Sequence, residues 1–355
     1  MKTVFLAMSG GIDSSYAAYL LKKQGYRTVG FTFDLLPRTL RSETNRKMCC
    51  SAVNMNRAKR IADDLSIPHY VINVREEFER HVIRRFVDEY RAGRTPNPCV
   101  LCNRHIKFAW FLEKALALGA DLVATGHYAA IEETGQGLEL KKGRDRAKDQ
   151  SYFLYPIRPT DLPLLMFPLA EYTKSEVRRE FAGLAAHRTE MEESQDICFI
   201  PGNDYRRFIG QFIPVRKGPI ITIDGKQVGY HDGVHYYTVG QRRGINIPHG
   251  EALYVVEVRA EENVLVVGPK DSLKQDGLVA DEVNLLAARQ EGEAWAKVRY
   301  RQKEEPCSYS MKDGVLEVVF RQPVAAITPG QSVVLYEGET VLGGGTIRQT
   351  SVGAR

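Results

Sequence analysis

Long apolar runs are missing from the sequence, and their absence argues against a membrane-spanning helix. Such a helix needs about 20 consecutive apolar residues. The apolar run at residues 162–170 is too short for such a helix, and Pro163 and Pro168 interrupt it. The N-terminal residues are apolar only briefly and have no small-residue cleavage site, which predicts a first strand and not a signal peptide. We therefore expect a cytoplasmic protein with no membrane partner.

Cysteine is scarce, and neither sign of charge dominates. Six cysteines in 355 residues are too few for a disulfide scaffold, so we expect thiols, metal ligands or catalysts. The 49 Lys and Arg residues exceed the 44 Asp and Glu residues by only 5. This mildly basic balance permits a nucleic-acid partner without requiring one. A hydrophobic content of 43% and a charged content of 26% exclude wholesale disorder.

Strands and helices alternate up to about residue 130. The predicted strands are 4–8, 28–33, 69–74 and 121–125, and the predicted helices are 14–24, 51–65, 76–91 and 106–118. Such alternation indicates a parallel sheet with helices on both faces. Ligands of these sheets bind beyond the carboxyl ends of the strands.

The pattern changes near residue 205 to short β-rich runs. Asp224-Gly225 between apolar runs predicts a hairpin. Further strands are predicted at 253–258, 264–267, 295–301, 315–320, 332–336 and 343–347. We expect an α/β protein in which a Rossmann-like parallel-sheet domain, residues 1–204, precedes a small β-rich central domain, 205–272, and a C-terminal β-barrel, 273–355.

The strongest motif is Ser-Gly-Gly-Ile-Asp-Ser-Ser at residues 9–15, between the first strand and the first helix. Glycines permit unusual backbone angles, and the free N–H groups at a helix start attract an anion. The motif is neither a Walker A loop nor G-x-G-x-x-G. It predicts a phosphate site, and the structural alternative is a glycine turn with a helix cap.

This motif resembles the PP-loop of the ATP pyrophosphatases, which implies ATP as cofactor and Asp13 as a residue that helps hold Mg²⁺. Six further motifs follow in order: GRTPNPCVLCN at 93–103, KDQSYFL at 148–154, SQDICFI at 194–200, YTVGQRRG at 237–244, PGQ at 329–331 and LGGG at 342–345. Together they resemble the tRNA-specific 2-thiouridylases over essentially the whole chain. The resemblance implies ATP-dependent 2-thiolation of the wobble uridine of tRNA.

The resemblance also implies roles for particular residues. Cys102 matches the nucleophile and Cys198 the cysteine that carries a persulfide. The ATP site corresponds to Ala7, Met8, Ser9, Gly10, Gly11, Ile12, Asp13 and Ser14, with Phe33 and Gly126 on the adenine side. The tRNA contacts correspond to Asn97, Pro98, Cys99, Lys148, Asp149, Gln150, Tyr300 and Arg301. The implied partners are tRNA and a sulfur-relay protein, and we expect a monomer.

The residues themselves support a reactive Cys102, because thiolates are favoured near cations and helix starts. Cys102 precedes the helix predicted at 106–118, with Arg104 and Lys107 nearby. Cys99 stands where many relatives have Asp. It lines the base pocket, acts as redox partner of Cys102, or joins Cys102 and Cys198 as ligands of a 4Fe–4S cluster or of zinc.

Basic clusters fit an RNA partner. Lys297, Arg299, Arg301 and Lys303 alternate along a predicted strand, which places them on one face. A solvated charged face is the alternative. For the whole chain, the alternatives are another PP-loop enzyme, a thiolase of a different tRNA base or an amidotransferase, and a non-catalytic RNA-binding protein.

Overall fold

The computed structural model describes residues 1–37, 40, 52–135, 137–184, 197–200, 202, 204–248 and 250–351. They form two compact units. The first unit contains Met1–Ile83, Pro98–Asp204 and Glu339–Val341. The second contains Arg84–Asn97, Tyr205–Gly338 and the chain from Leu342 onward. Residues 194–196, the first three of the SQDICFI motif, lie outside the described residues. The three-domain division at 204/205 and 272/273 stays a prediction.

The first unit is built on a parallel sheet, as predicted. Its strands are β1 (Thr3–Ala7), β2 (Arg27–Asp34), β3 (His69–Asn73), β4 (Leu122–Thr125) and β7 (Leu165–Met166), in the order β3-β2-β1-β4-β7. Ala7 pairs with Phe31 and with Thr125, so the carboxyl ends of the three central strands share one edge. A site at that edge is therefore positioned by the best-buried strands of the sheet.

Helices cover this sheet. They are α1 (Ile12–Lys23), α2 (Ala52–Asp64), α3 (Arg75–Phe78), α5 (Pro98–Leu101), α6 (Leu112–Ala117) and α7 (Lys174–Leu184). Leu6, Met8, Tyr16 and Leu21 belong to the core that β1 and α1 share. A hairpin of β5 (Ala129–Thr134) and β6 (Gly137–Lys142), which the sequence did not predict, follows β4.

The helix predicted at 106–118 begins eight residues earlier, at Pro98, and this corrects the placement of Cys102. The π-helical stretch Cys102–Phe111 continues α5 directly into α6. Pro98 is tolerated as the first helical residue because its missing N–H costs nothing in a first turn. Cys102 therefore lies inside a helix, and not in front of one.

The second unit begins with α4 (Arg84–Arg91), resumes with α8 (Tyr205–Ile209) and contains a four-stranded sheet. The sheet has the order β10-β11-β8-β9, with β8 (Gly218–Thr222), β9 (Gln227–His231), β10 (Tyr254–Arg259) and β11 (Val264–Gly268). Strands β8 and β9 are antiparallel across Asp224-Gly225, and Gly225 has a φ of +85°. The predicted hairpin is confirmed.

Six strands close into the predicted C-terminal barrel. They are β12 (Lys274–Leu285), β13 (Glu291–Lys297), β14 (Glu305–Lys312), β15 (Val315–Ala325), β16 (Ser332–Glu337) and β17 (Thr340–Ser351). The order is β12-β15-β14-β13-β16-β17, and β12 also pairs with β17, which closes the ring. Leu278, Val318, Leu335 and Ile347 are in its core. The predicted fold class, α/β with a β-rich part and a barrel, is confirmed.

The predicted basic strand through residues 297–303 is wrong. Strand β13 ends at Lys297, and a turn follows in which the N–H of Gln302 donates to the carbonyl of Arg299. Arg299 instead donates to the carbonyl of Val239 and to Thr328. The alternation of charges predicted a strand, but the side chain of Arg299 makes hydrogen bonds within the protein instead.

Among the described residues, no helix is long and apolar enough to cross a membrane.

Candidate active site

The loop between β1 and α1 has the geometry of an anion site. Gly10 has a φ of +77°, and a Cβ there would lie 2.2 Å from the carbonyl oxygen of Asn54, so only glycine fits. Helix α1 begins at Ile12, which leaves the N–H groups of its first turn without helical acceptors. The loop therefore presents donors where a helix dipole favours negative charge.

The loop serines hold the loop itself. The N–H of Ser9 donates to Ser14 Oγ at 3.1 Å, and the hydroxyls of Ser14 and Ser15 donate to the carbonyl of Gly11 at 3.1 and 2.8 Å. These bonds fix the backbone before any ligand arrives. The serine hydroxyls thus stabilise the loop from within.

Gly126, at the end of β4, lies directly against this loop. A Cβ on Gly126 would be 2.9 Å from the backbone nitrogen of Ser14 and 3.0 Å from the carbonyl carbon of Asp13. Phe33, near the end of β2, is buried and meets Phe111 edge to face at 4.9 Å between ring centres. The predicted adenine-side residues are therefore at the same sheet edge as the loop.

A cavity of about 340 Å³ opens at this edge. From the predicted ATP site it is lined by Ala7, Met8, Ser9, Asp13, Ser14, Phe33 and Gly126. From the predicted catalytic and tRNA sites it is lined by Pro98, Cys99, Cys102, Gln150 and Cys198. Lys107, Thr125 and His127 also line it. The loop residues Gly10, Gly11 and Ile12 shape the backbone without lining the cavity.

The cysteines at 99 and 102 are three residues apart on one helix and both face the cavity. Burial raises the pKa of Cys102 to about 11, and Lys107 opposes this rise. Cys99 is exposed within the cavity, yet the surrounding protein raises the pKa of its thiol as well, again against Lys107. At neutral pH both are thiols until a neighbouring charge or a proton acceptor changes that balance.

The metal-ligand hypothesis for Cys99, Cys102 and Cys198 stays a prediction, with all three cysteines in the lining of one cavity. Across the described parts of the chain, no three or more Cys, His, Asp or Glu side chains are grouped so as to hold a metal ion. No reaction step is assigned to such a group.

Lys107 and His127 form a polar pair in the cavity wall. Lys107 Nζ lies 3.4 Å from Nε2 of His127, and His127 Nδ1 lies 2.6 Å from Thr125 Oγ1. Burial, with the nearby Lys107 charge, holds the pKa of His127 well below its usual value. His127 is therefore neutral beside Lys107, whose charge also acts on both cysteines.

The predicted tRNA segment 148–150 divides into inner and outer residues. Gln150 lines the cavity and accepts from the N–H of Tyr128 at 3.0 Å. Asp149 is buried and accepts from the N–H of Gly143 and the hydroxyl of Ser151, at 3.0 and 2.8 Å. Lys148 is half-buried outside the cavity lining. Asp149 thus has a bracing role that the motif did not reveal, and the tRNA contacts stay a prediction.

The remaining predicted tRNA residues belong to the second unit. Asn97 ends the segment that begins with α4. Tyr300 and Arg301 lie in the turn after β13, with Lys297 Nζ 5.6 Å from the Tyr300 ring centre and Arg301 exposed. Their contacts with RNA stay a prediction.

Three domain models match the chain in order. They are described as a tRNA methyl transferase HUP domain at residues 2–202, a tRNA methyl transferase PRC-barrel domain at 206–269 and an aminomethyltransferase beta-barrel domain at 275–347. The tRNA-specific 2-thiouridylase MnmA of Geotalea uraniireducens is 47% identical, across 98% of this chain and 95% of its own. The chain belongs to the tRNA-specific 2-thiouridylase family. The family predicted from the motifs is thereby confirmed.

Other thiouridylases match over similar lengths. The protein named tRNA-specific 2-thiouridylase MnmA in Geobacter metallireducens is 46% identical across 98% of this chain and 96% of its own. That of Halothermothrix orenii is 42% identical across 98% and 99%. Membership of this PP-loop family implies use of ATP. The roles of individual residues in this thiouridylase stay predictions.

A lysine next to the phosphate loop was not predicted from the sequence. Lys174, the first residue of α7, reaches Asp13 of the loop with Nζ 2.6 and 2.7 Å from the two carboxylate oxygens. No local motif announces this pair, because the two residues are 161 positions apart in the chain.

Proposed function

We propose that this chain catalyses the ATP-dependent 2-thiolation of the wobble uridine in tRNA. The observation that carries the proposal is one cavity lined both by the phosphate loop and by the two cysteines Cys102 and Cys198. Base activation and sulfur transfer act on the same uridine C2–O2 group. A site for both reactions must therefore place the nucleotide and the sulfur carrier around one reacting carbon.

In the activation step, the loop at residues 9–15 binds the phosphates of ATP. The O2 oxygen of the uridine attacks the α-phosphorus, an adenylated base forms, and pyrophosphate leaves. The base has to leave its stack, since O2 is otherwise out of reach of the cavity. Phe33 and Gly126 would meet the adenine side of the nucleotide, and Cys99 and Gln150 would line the place of the base.

In the sulfur step, Cys198 carries a persulfide delivered by a sulfur-relay protein. In one route, the Cys102 thiolate attacks the Cys198 sulfur, hydrosulfide leaves, adds to C2 and expels AMP with its oxygen. In the other, the terminal sulfur of the persulfide adds to C2 and expels AMP with its oxygen. Cys102 then attacks the Cys198 sulfur, and the sulfur on C2 leaves with the base. Both routes leave a Cys102–Cys198 disulfide, which an external thiol must reduce.

Lys107 supports the sulfur step electrostatically. The Cys102 proton must leave before attack, and the high pKa of Cys102 opposes its loss. Lys107 stabilises the thiolate through its charge. His127, held neutral by burial, does not add a competing charge to the wall.

Asp13 suits the Mg²⁺ that accompanies ATP. It is the one carboxylate among the described residues that line the cavity. Magnesium is commonly held by one or two carboxylates together with substrate phosphates, and it neutralises phosphate charge when bound. Asp13 would hold it on the loop side.

The test is a reconstituted reaction. Anaerobically purified protein is incubated with ATP, Mg²⁺, a sulfide source and unmodified tRNA, and the digested RNA is analysed by mass spectrometry. We expect 2-thiouridine only when ATP is present. AMP and pyrophosphate without any thiolated base, even after addition of a persulfide-generating desulfurase, would indicate another acceptor and reject the proposed reaction.

A further inference from the structure

Lys174 and Asp13 form an ion pair directly behind the phosphate loop. The Lys174 side chain is 8% exposed, whereas that of Asp13 is 35% exposed and faces the cavity. Tyr128 donates its hydroxyl to Asp13 Oδ1 at 2.7 Å, so both oxygens of this carboxylate are engaged. The pair therefore fixes the orientation of the Asp13 carboxylate, which would lie next to the bound polyphosphate of ATP.

Several hydrogen bonds hold the backbone around Lys174. Thr173 and Glu176 form a capping box: the N–H of Thr173 donates to Glu176 Oε2 at 2.7 Å, and that of Glu176 to Thr173 Oγ1 at 3.3 Å. The N–H of Lys174 donates to Asp145 Oδ2 at 2.8 Å. Hydrogen bonds from Thr173, together with Arg144, lower the pKa of Glu176 to about 2, so this anchor stays ionised.

Stability alone does not account for such a pair. Taking an ammonium out of water costs several kcal/mol, and a buried ion pair commonly contributes little net stability over apolar residues. The need to offset the Asp13 charge does account for the pair. Without the cation, the Asp13 carboxylate would repel phosphates at close range, in a cavity that screens charge less than water does.

We propose that Lys174 is a positioning residue of the adenylation step: it orients the Asp13 carboxylate and offsets its charge, so that ATP can bind beside it. This inference rests on the proposed function only in calling the step an adenylation. The effect on ATP binding can be measured without tRNA or sulfur. The ligand whose binding this pair would support is a polyphosphate anion. Lys174 acts through Asp13 and does not itself line the cavity.

The test measures ATP binding by calorimetry with EDTA present, so that charge repulsion is not masked by magnesium. Lys174→Met should weaken ATP binding about 10- to 100-fold, as expected for one unscreened like charge near the phosphates. Asp13→Asn/Lys174→Met should bind ATP better than Lys174→Met alone. Asp13→Asn should bind metal-free ATP at least as well as the unaltered chain. Lys114→Met, an exposed lysine of the same unit, should bind normally.

Two results would overturn the inference: Lys174→Met binding ATP within twofold of the unaltered chain, or a folded double variant that binds no better than Lys174→Met. If Lys174→Met fails to fold, the double variant and Asp13→Asn still decide. Asp13→Asn keeps the cation and should bind metal-free ATP more tightly than the double variant, and equal or weaker binding would overturn the inference. A chain that binds ATP with this pattern but makes no 2-thiouridine would refute the proposed function and leave this inference standing.

Discussion

Lys107 Nζ lies 3.4 Å from Nε2 of His127, in the wall of the cavity that Cys99 and Cys102 also line. The same ammonium works against the burial that raises the pKa of both thiols, and it helps to keep His127 neutral. Burial is the larger influence on all three groups, and Lys107 adds to it at His127 and opposes it at both thiols.

Replacing Lys107 should make Cys102 harder to ionise. The pKa of about 11 would rise further in Lys107→Met, because burial would no longer be opposed. Thiolate content rises with pH below the pKa, so alkylation of Cys102 by iodoacetamide should climb from pH 7 to 10 in both proteins. The variant should react up to about tenfold more slowly at pH 9, which corresponds to one pKa unit.

Peptide mass spectrometry follows this alkylation for each cysteine separately. Lys114→Met serves as the control, since its ammonium is exposed and pairs with Glu113. A Cys102 rate that levels off below pH 8, or equal rates with and without Lys107, would contradict the assigned electrostatics.

The two cysteine roles separate the half-reactions. Cys102→Ser and Cys198→Ser should each form at least about 100-fold less 2-thiouridine, because a hydroxyl neither carries a persulfide nor attacks one. Neither thiol takes part in adenylation, so pyrophosphate release with unmodified tRNA should partly survive. Asp13→Ala should lose both steps.

The matched control is Cys307→Ser. Cys307 is buried in the barrel, and its thiol donates to the carbonyl of Ala294, a bond that a serine hydroxyl can keep. Quantitative nucleoside mass spectrometry and a pyrophosphate assay are run on the same samples. Normal thiolation by either Cys102→Ser or Cys198→Ser would remove that residue from the mechanism.

Gly126 tests whether the close approach of β4 to the loop matters for ATP. In Gly126→Ala the new Cβ would lie 2.9 Å from the Ser14 nitrogen, and backbone atoms have to move to relieve this. Displacement of the loop should weaken ATP binding by at least about tenfold, since small misplacements of binding groups are costly. Gly135→Ala, where no atom lies within 4 Å of the new Cβ, should bind ATP normally.

Calorimetric titration with ATP and Mg²⁺ measures this effect, and a melting curve without ATP checks folding. Full ATP affinity in Gly126→Ala would show that the loop can shift without consequence, which would separate Gly126 from the nucleotide site.

Local signals in the sequence predicted the structure well. The Asp224-Gly225 turn requires a positive φ at its glycine, and the hairpin around it is confirmed. The phosphate loop is likewise contiguous in sequence, so its strand, its glycines and its helix could be predicted together. The family motifs also indicated Cys102 and Cys198, and both line the cavity.

Signals that depend on distant residues were missed. The ammonium that pairs with Asp13 comes from Lys174, and nothing next to either residue announces the other. Pro98 looks like a helix breaker until its place in a first turn is seen. Arg299 looks like part of an exposed stripe, yet it donates to the carbonyl of Val239, a contact between segments far apart in the chain.

Glu89 is another such residue, because its partners come from two parts of the second unit. Arg94 donates to both carboxylate oxygens at 2.6 and 2.8 Å, and Arg348 of β17 does so at 3.1 and 3.3 Å. Burial alone would raise the pKa of Glu89, but the two arginines more than offset this and hold it below its usual value. The carboxylate therefore ties α4 to the barrel as an anion between two cations.

Glu89→Gln should destabilise the second unit by about 2–3 kcal/mol at pH 7, somewhat less than for a fully buried pair, because both arginines are partly exposed. Since the pKa of Glu89 is lowered by folding, its stabilising effect is complete above the pH at which an unfolded glutamate titrates, about 4 to 5, and is lost as pH falls through the folded value. The variant lacks this titration, so the two unfolding free energies should converge as the pH falls from 6 towards 3. Urea unfolding at several pH values measures both, with the exposed Glu261→Gln as control. A constant difference between the two proteins across that pH range would mean that Glu89 is not held ionised by its arginines.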